Sequence, residues 1–270
     1  MTIDLNALWD YSKPELSERR FTSALEGASA EERVILNTQI ARTYGLRRDF
    51  LKAREILSSI AAAQEDSSPE ARVRYLLELG RTFASTTHTK ETQTPDDLEK
   101  ARELFLRAHT VAASARLDFL AIDALHMMPC VDSEPDRQLE WNERALSYME
   151  RSDQAEAKKW EASLRNNVGY AKHLKGEYDA ALEQFQLSRA AHERANRVRS
   201  VRIADWMIAW TFRAQKKYAE ALEIQLELER AWEVDGDPDP YVFEELEHLY
   251  RAVGNEELAV HYGTKFKATQ

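Results

Sequence analysis

The segment from Leu164 to Ala191, LRNNVGYAKHLKGEYDAALEQFQLSRAA, constrains the fold more than any other part of the sequence. Its apolar residues recur every three or four positions, which is the periodicity of an amphipathic α-helix. The tripeptide Lys175-Gly176-Glu177 interrupts this pattern and is typical of a tight turn. The segment is therefore predicted to form two amphipathic helices joined by a short turn.

Weaker copies of this helix pair recur along the chain. They predict six pairs between residues 31 and 268, preceded by a lone helix from Pro14 to about Gly27 within an N-terminal cap, residues 1–30. A Thr-rich stretch at residues 84–95 is predicted to be an exposed loop inserted into the second pair, because it cannot bury a helical face. Each unit of such an array contacts only its neighbours. The whole chain, 1–270, is therefore predicted to be a single all-α domain, an α-solenoid of about thirteen helices.

Two short motifs indicate the family. Leu79-Gly80 is followed by an aromatic residue, Phe83, and Ala181 is followed four positions later by Phe185. In these features the chain resembles the tetratricopeptide repeat proteins, whose helix–turn–helix units carry L-G-x2-Y and then A-x3-F. Units of about 40 residues are longer than the 34 residues of that motif, which indicates lengthened helices or linkers.

The resemblance implies that the first helix of each pair lines a concave surface, so that its positions outside the core are binding candidates. In the fourth pair, the Leu164–Ala191 segment, these positions include two adjacent asparagines and a tyrosine. The same register gives the corresponding positions in the other pairs. The predicted binding set for a ligand or peptide is Gln39, Arg42, Glu78, Arg81, Asp123, His126, Asn166, Asn167, Tyr170, His173, Trp206, Trp210, Arg213 and His248.

The residue types in this set suit a peptide ligand. Asparagine amides offer a donor and an acceptor together, as the backbone of an extended peptide requires. Arg42 and Arg81 could bind a ligand carboxylate through paired hydrogen bonds. Trp206 and Trp210 lie four residues apart on one helix face and could anchor an apolar side chain.

Each of these assignments has a plainer alternative. Asn166 and Asn167 could be a solvated or capping pair. Arg81 could pair with Glu78 or Asp123 and only neutralise an internal charge. The two tryptophans could pack in the core, which is the commoner fate of such a pair.

Composition narrows the range of partners. The formal net charge of −10 disfavours nucleic acid and anionic membranes as partners. Cys130 is the only cysteine, which excludes an intrachain disulfide and a Cys-rich metal site. The N-terminal residues do not resemble a signal peptide, and no apolar run approaches the ~20 residues of a membrane span. A cytoplasmic location is expected.

Enzyme chemistry finds little support in the sequence. It lacks a Gly-rich phosphate loop, an HExxH motif and a GxSxG motif. The aspartates at 235, 237 and 239 superficially resemble a calcium loop, but two prolines interrupt it and Leu246 stands where the bidentate glutamate belongs. No catalytic residue, metal site or cofactor is predicted.

The sequence therefore predicts a non-catalytic scaffold or adaptor that binds a protein or peptide segment on its concave face. A regulatory sensor that responds to a ligand or peptide is the alternative. A helical enzyme, or an accessory protein of a biosynthetic pathway, ranks third. A homodimer through the C-terminal helices is also predicted, because Leu258, Tyr262 and Phe266 could leave an apolar end face uncovered.

Overall fold

The computed structural model describes residues 3–269, apart from the side chain of Lys90. All regular structure in this part of the chain is helical, with thirteen α-helices of ten or more residues, two shorter ones and three short 3-10 turns. The predicted all-α helical-pair fold is confirmed. Residues 1, 2 and 270 of the predicted ranges lie outside the described residues. Two compact units divide after Lys159, so the single domain predicted for the chain stays a prediction.

Unit 1, up to Lys159, begins with two helices that precede the repeats. Three pairs follow, in which the first helices are α3, α6 and α8, and the second helices are α4, α7 and α9. The short α5 extends the first pair. The helices are α1 (Leu5–Leu8), α2 (Pro14–Ala24), α3 (Ala30–Leu46), α4 (Phe50–Ser59), α5 (Ala61–Glu65), α6 (Pro69–Arg81), α7 (Pro95–Ser114), α8 (Asp118–Met127) and α9 (Pro135–Arg151).

Unit 2, from Trp160, consists of three further pairs. Its first helices are α10, α12 and α14, and its second helices are α11, α13 and α15. They are α10 (Glu161–Leu174), α11 (Tyr178–Arg194), α12 (Val198–Ala214), α13 (Tyr218–Asp235), α14 (Pro240–Ala252) and α15 (Glu256–Ala268).

Local sequence signals explain where several helices begin. Ser29 and Glu32 form a reciprocal capping box at the start of α3, in which the Ser29 backbone N–H donates to Glu32 Oε2 at 2.8 Å. Ser68 and Thr94 cap α6 and α7, and each is followed by a proline at the first helical position. Proline is favoured there because its missing N–H would have no partner within the helix.

The N-terminal cap packs as an ordered element. Leu8 and Trp9 contact a buried cluster formed by Phe21, Leu36 and Ile40. The segment before α2 therefore covers the open end of the first pair, which would otherwise expose apolar side chains.

The inserted segment at residues 84–95 contains no α-helix before Pro95, where α7 begins, and is partly exposed, but several of its side chains pack against the first two pairs. Ala84 is fully buried, and the His88 ring stacks on Phe50 with 3.8 Å between centroids. Thr87 Oγ1 donates to the backbone oxygen of Gly45. Sequence periodicity missed these contacts because small and polar residues make them without a helical pattern.

The apolar end face predicted at the C-terminus is wrong. Tyr262 is buried against Trp232, Phe243 and Leu246, and Phe266 packs against the same cluster. The dimer predicted through the C-terminal helices loses this basis and stays a prediction. Within residues 3–269, no helix combines the length and apolarity needed to cross a membrane.

Two pairs are closed by contact between a glycine and a phenylalanine. A Cβ atom added to Gly80 would lie 2.5 Å from the Phe105 ring, and one added to Gly169 would lie 2.7 Å from Phe185. Such distances are too short for two carbon atoms that are not bonded to each other, so only glycine fits at these helix crossings. In the fifth pair Ala209 takes the place of the glycine and Gln225 takes the place of the phenylalanine.

Gln225 is fully buried on α13, and neither its amide nitrogen nor its amide oxygen has a hydrogen-bond partner among the described residues. An unsatisfied buried polar group typically costs about 1–3 kcal/mol. Gln225→Leu is therefore expected to raise the free energy of unfolding by about that amount in urea denaturation. Gln186→Leu, at an exposed position on α11, is the control and should give no comparable gain. A loss of stability in Gln225→Leu would show that the amide has a favourable partner.

The turn between α12 and α13 contains a strained residue. Lys216 has a φ of 63°, in the left-handed region where Gly176 and Gly254 lie in the neighbouring pairs. A non-glycine residue there carries a penalty of about 1–2 kcal/mol. Lys216→Gly is expected to stabilise the protein by roughly 0.5–1 kcal/mol, because glycine removes this strain but also gains freedom when unfolded. Thermal unfolding should show the gain in Lys216→Gly and not in Lys216→Ala.

Candidate functional site

The first helices of each unit contact one another directly. In unit 1, α3 packs against α6 and α6 against α8, and in unit 2, α10 packs against α12 and α12 against α14. We call these surfaces the first-helix layers of unit 1 and unit 2. All fourteen residues of the predicted binding set lie on these six helices, six in unit 1 and eight in unit 2.

An ion-pair network links the three first helices of unit 1. Arg42 Nη1 on α3 contacts Glu78 Oε1 on α6 at 3.0 Å. Arg81 Nη1 contacts the same carboxylate oxygen at 2.6 Å, and its Nη2 contacts Asp123 Oδ1 on α8 at 2.5 Å. Two guanidinium groups thus balance two carboxylates. The alternative that Arg81 neutralises an internal charge agrees with these contacts.

Burial and charge set the protonation states of this network. Burial alone would raise the pKa of Asp123, but the Arg81 and Arg42 charges outweigh it and hold that pKa below its usual value. Burial lowers the pKa of His126, although the nearby Asp123 charge opposes this effect. At neutral pH the Asp123 carboxylate is therefore ionised and the His126 imidazole is neutral.

Four of the first helices carry a buried polar acceptor at one shared position: Gln39, Glu78, Asp123 and Glu245. Each accepts from an element that precedes it in the chain. Trp9 Nε1 donates to Gln39 Oε1 at 3.0 Å, and Arg213 on α12 makes two hydrogen bonds to the Glu245 carboxylate, at 2.5 and 3.1 Å. In three of the four cases the donor lies on the preceding first helix, so the contact joins two neighbouring first helices, whereas Trp9 joins the N-terminal cap to α3.

An aromatic row crosses the first-helix layer of unit 2. It consists of Tyr170 on α10 with Trp210 and Trp206 on α12. The Tyr170 and Trp210 ring centroids are 5.8 Å apart, and those of Trp210 and Trp206 are 6.0 Å apart, with planes within 19° of parallel. Tyr170 is 47% exposed, and two further apolar residues, Ile203 at 49% and Tyr241 at 61%, are exposed on α12 and at the start of α14.

His173 supports the aromatic row from within the protein. Its imidazole stacks on Trp210 with 3.3 Å between centroids and an angle of 11°. Its Nδ1 lies 2.9 Å from Thr211 Oγ1, and that hydroxyl donates to the Met207 backbone oxygen at 2.8 Å. The Thr211 oxygen must therefore accept, which assigns the proton of His173 to Nδ1. Burial, with a smaller contribution from the Arg213 charge, lowers the pKa of His173 to about 4, so the ring is neutral at pH 7.

Trp206 is anchored at the other end of the row. Its Nε1 donates to the Tyr241 backbone oxygen at 3.1 Å, which places the indole against the first turn of α14. Trp206 and Trp210 are only partly buried and pack against the core as well as facing the layer surface. The core-packing interpretation therefore accounts for part of each side chain, and the role of the exposed part as a surface anchor stays a prediction.

The remaining predicted residues are less closely connected. Asn166 and Asn167 are partly buried on α10, and His248 is exposed on α14. Asn166 makes no side-chain hydrogen bond within residues 3–269, whereas Asn167 has a partner. Among the described residues, no group of three or more His, Cys, Asp or Glu side chains is arranged to hold a metal ion.

Known structures share this architecture. The crystal structure of apo RapI superposes with a TM-score of 0.71 at 14% sequence identity, covering 97% of this chain and 74% of RapI. A Pyrococcus horikoshii signal-transduction ATPase of the STAND class, with a tetratricopeptide repeat sensor, gives 0.68 at 11% identity, covering 95% of this chain and 39% of that protein. NprR in complex with its cognate peptide NprX gives 0.56 at 13%, covering 97% and 74%.

The chain has a tetratricopeptide-like repeat fold. Identities this low show a shared fold and nothing about ligands or activity. No protein-family model and no curated protein sequence matches this tetratricopeptide-like chain.

Two residues that contact the predicted set are absent from it. Trp9, in the N-terminal cap, donates to Gln39. Glu245, which accepts from Arg213, occupies the same register position as Gln39, Glu78 and Asp123. Arg213, a donor on α12, was the sequence signal that could have identified Glu245 as its acceptor.

Proposed function

We propose that this protein binds a peptide segment of a partner on the first-helix layer of unit 2 and does not catalyse a reaction. The aromatic row carries this proposal. Tyr170, Trp210 and Trp206 form a supported apolar surface, next to the exposed side chains of Ile203 and Tyr241. Clustered exposed apolar groups of this kind are typical of interaction sites, and buried aromatic anchors commonly dominate binding energy.

The arginines of the predicted set fit a structural role better than a role in binding. Arg81 and Arg213 each hold a buried carboxylate, and Arg42 shares one. Diverting such an arginine to a ligand would leave a buried anion unpaired, at a cost of about 3–5 kcal/mol. We therefore assign the arginines and the buried acceptors Gln39, Glu78 and Asp123 to helix registration, and His126 to the same network.

The proposed ligand contacts are accordingly narrower than the set predicted from sequence. They comprise the aromatic row, with Ile203 and Tyr241 at its sides. The Asn166 amide, which is unused within the described protein, is available to bind a peptide backbone group. Asn167 and His248 lie on the same layer and belong to its polar margin.

A regulatory sensor is the second candidate. It is supported by the fold shared with NprR, whose structure contains a cognate peptide, and with a STAND protein that has a tetratricopeptide repeat sensor. A sensor should change shape when the peptide binds, whereas an adaptor should not. Small-angle scattering with and without a bound peptide separates the two, because only the sensor is expected to become more compact.

Peptide selection tests the proposed site. A random 12-residue peptide library would be displayed on phage and selected on the full chain, and the enriched peptide would be synthesised and titrated calorimetrically. Trp210→Ala and Tyr170→Ala are each expected to weaken binding by about 10-fold or more, since anchor truncations typically cost above 1–2 kcal/mol. Leu187→Ala, a partly exposed apolar residue on the second helix α11, is the matched control. Binding that tolerates Trp210→Ala would refute the site.

A further inference from the structure

We infer that His173 determines ligand specificity: by fixing Trp210, it restricts the aromatic row to aliphatic side chains and excludes aromatic ones. This inference rests on the proposed function, since it specifies what the row binds. His173 is assigned a positioning role and does not itself touch the ligand, because its imidazole is buried behind Trp210.

Trp210 cannot move while His173 is in place. The imidazole covers one face of the indole at van der Waals distance, and Thr211 holds the imidazole through Nδ1. Tyr178 meets the imidazole edge-on, with 5.3 Å between centroids. The stack therefore has contacts on several sides, and the hydroxyl of Thr211 is itself fixed by the Met207 backbone oxygen.

The space between the rings of the aromatic row is too small for a further ring. A flat ring inserted between two others needs about 7 Å between them, twice the ~3.5 Å contact distance of carbon atoms. The near-parallel rings of Tyr170, Trp210 and Trp206 have centroids only 5.8 and 6.0 Å apart. A phenylalanine or tyrosine side chain of a ligand therefore cannot enter between them, and the same holds for a planar heterocycle.

Aliphatic side chains do not need this space. A leucine, isoleucine or methionine branch can lie across the ring edges and exposed faces, and it gains by burying apolar area rather than by stacking. The flanking Ile203 side chain is also aliphatic and is 49% exposed. The row as it stands thus fits an aliphatic anchor residue.

Removing the imidazole would change this preference. His173→Ala would vacate space of about one ring thickness, ~3.5 Å, on one face of Trp210. Trp210 would then have room to move away from its neighbours in the row. The indole could then shift, and an aromatic side chain could enter the row.

The test uses the full chain and two small probes, N-acetyl-leucinamide and N-acetyl-phenylalaninamide. Each is titrated while the Trp210 indole N–H signal is followed by NMR, with the signal assigned through Trp210→Phe. Wild type is expected to bind the leucine probe at least about threefold more tightly, and His173→Ala is expected to lose or reverse that preference. Equal or tighter binding of the phenylalanine probe by wild type would overturn the inference and leave the site intact. A Trp210 signal that responds to neither probe would refute the site and the inference together.

Two further variants separate the ring from the hydrogen bond. His173→Phe keeps a flat ring against Trp210 and should keep the preference for leucine. His173→Asn keeps a donor for Thr211 but lacks the ring, so it should relax the preference as His173→Ala does. If His173→Ala does not fold, this pair alone decides the matter. Identical preferences in His173→Phe and His173→Asn would overturn the role of the imidazole ring.

Discussion

Replacing Gly169 by alanine is expected to lower the free energy of unfolding by about 1–3 kcal/mol. The new Cβ would lie 2.7 Å from the ring of Phe185, a side chain that is fully buried and cannot move aside without disturbing its own packing. Alanine has a higher helix propensity than glycine by roughly 1 kcal/mol, so the substitution is destabilising only if the clash dominates. Urea denaturation followed by circular dichroism measures the difference.

Gly45→Ala is the matched control. Gly45 also lies inside a helix, α3, but an added Cβ there meets nothing within 4 Å. This variant should be neutral or more stable by up to about 1 kcal/mol. A second substitution, Phe185→Leu, should recover part of the loss in Gly169→Ala, so that the double variant is more stable than the sum of the single effects. Simple additivity would show that the clash is not the cause.

The second large effect is expected at Arg81. Arg81→Met would leave Asp123 buried without its ion-pair partner and would remove one of the two cations at Glu78. Breaking a buried ion pair in this way costs about 3–5 kcal/mol. Arg107→Met is the control, because the Arg107–Glu103 pair is exposed, and a loss of less than about 0.5 kcal/mol is expected there.

The pH dependence of this loss tests its cause. In the wild type the pKa of Asp123 is below its unfolded value, so the ionised group contributes stability above about pH 4 that is lost as the pH falls through the lower, folded pKa. Without Arg81, burial dominates and raises that pKa, so protonation relieves the variant as the solution is acidified. The stability difference between wild type and Arg81→Met should therefore shrink between pH 7 and pH 5. A difference that is constant with pH would contradict the charge argument.

The helical pairs could be predicted from sequence because their apolar periodicity and turn residues are local signals. Leu164–Ala191 is the clearest case, and its helices and turn lie where the pattern places them. The packing of residues 84–95 could not be predicted, since His88 on Phe50 is a contact between distant, non-periodic residues. The burial of Tyr262 could not be predicted either. The apolar pattern of α15 is the same whether that face covers the core or faces solvent.

The candidate site, too, could be predicted only in part. The register of the repeats correctly placed the predicted residues on first helices. It could not show which of them were already engaged, because that depends on the neighbouring helix: Glu78 and Asp123 hold arginines from the preceding helices, whereas Tyr170 remains open. The orientation of His173 behind Trp210 likewise follows from Thr211, thirty-eight residues further along the chain.

The indole N–H signals of the six tryptophans provide the most direct test of where a ligand binds. They would be recorded by NMR while the peptide selected on phage is added to the full chain. Binding on the first-helix layer of unit 2 predicts that Trp206 and Trp210 shift, whereas Trp9 and Trp141, which lie in unit 1, remain unchanged. Shifts confined to Trp9 or Trp141, with Trp206 and Trp210 unaffected by a bound peptide, would contradict the proposed binding site.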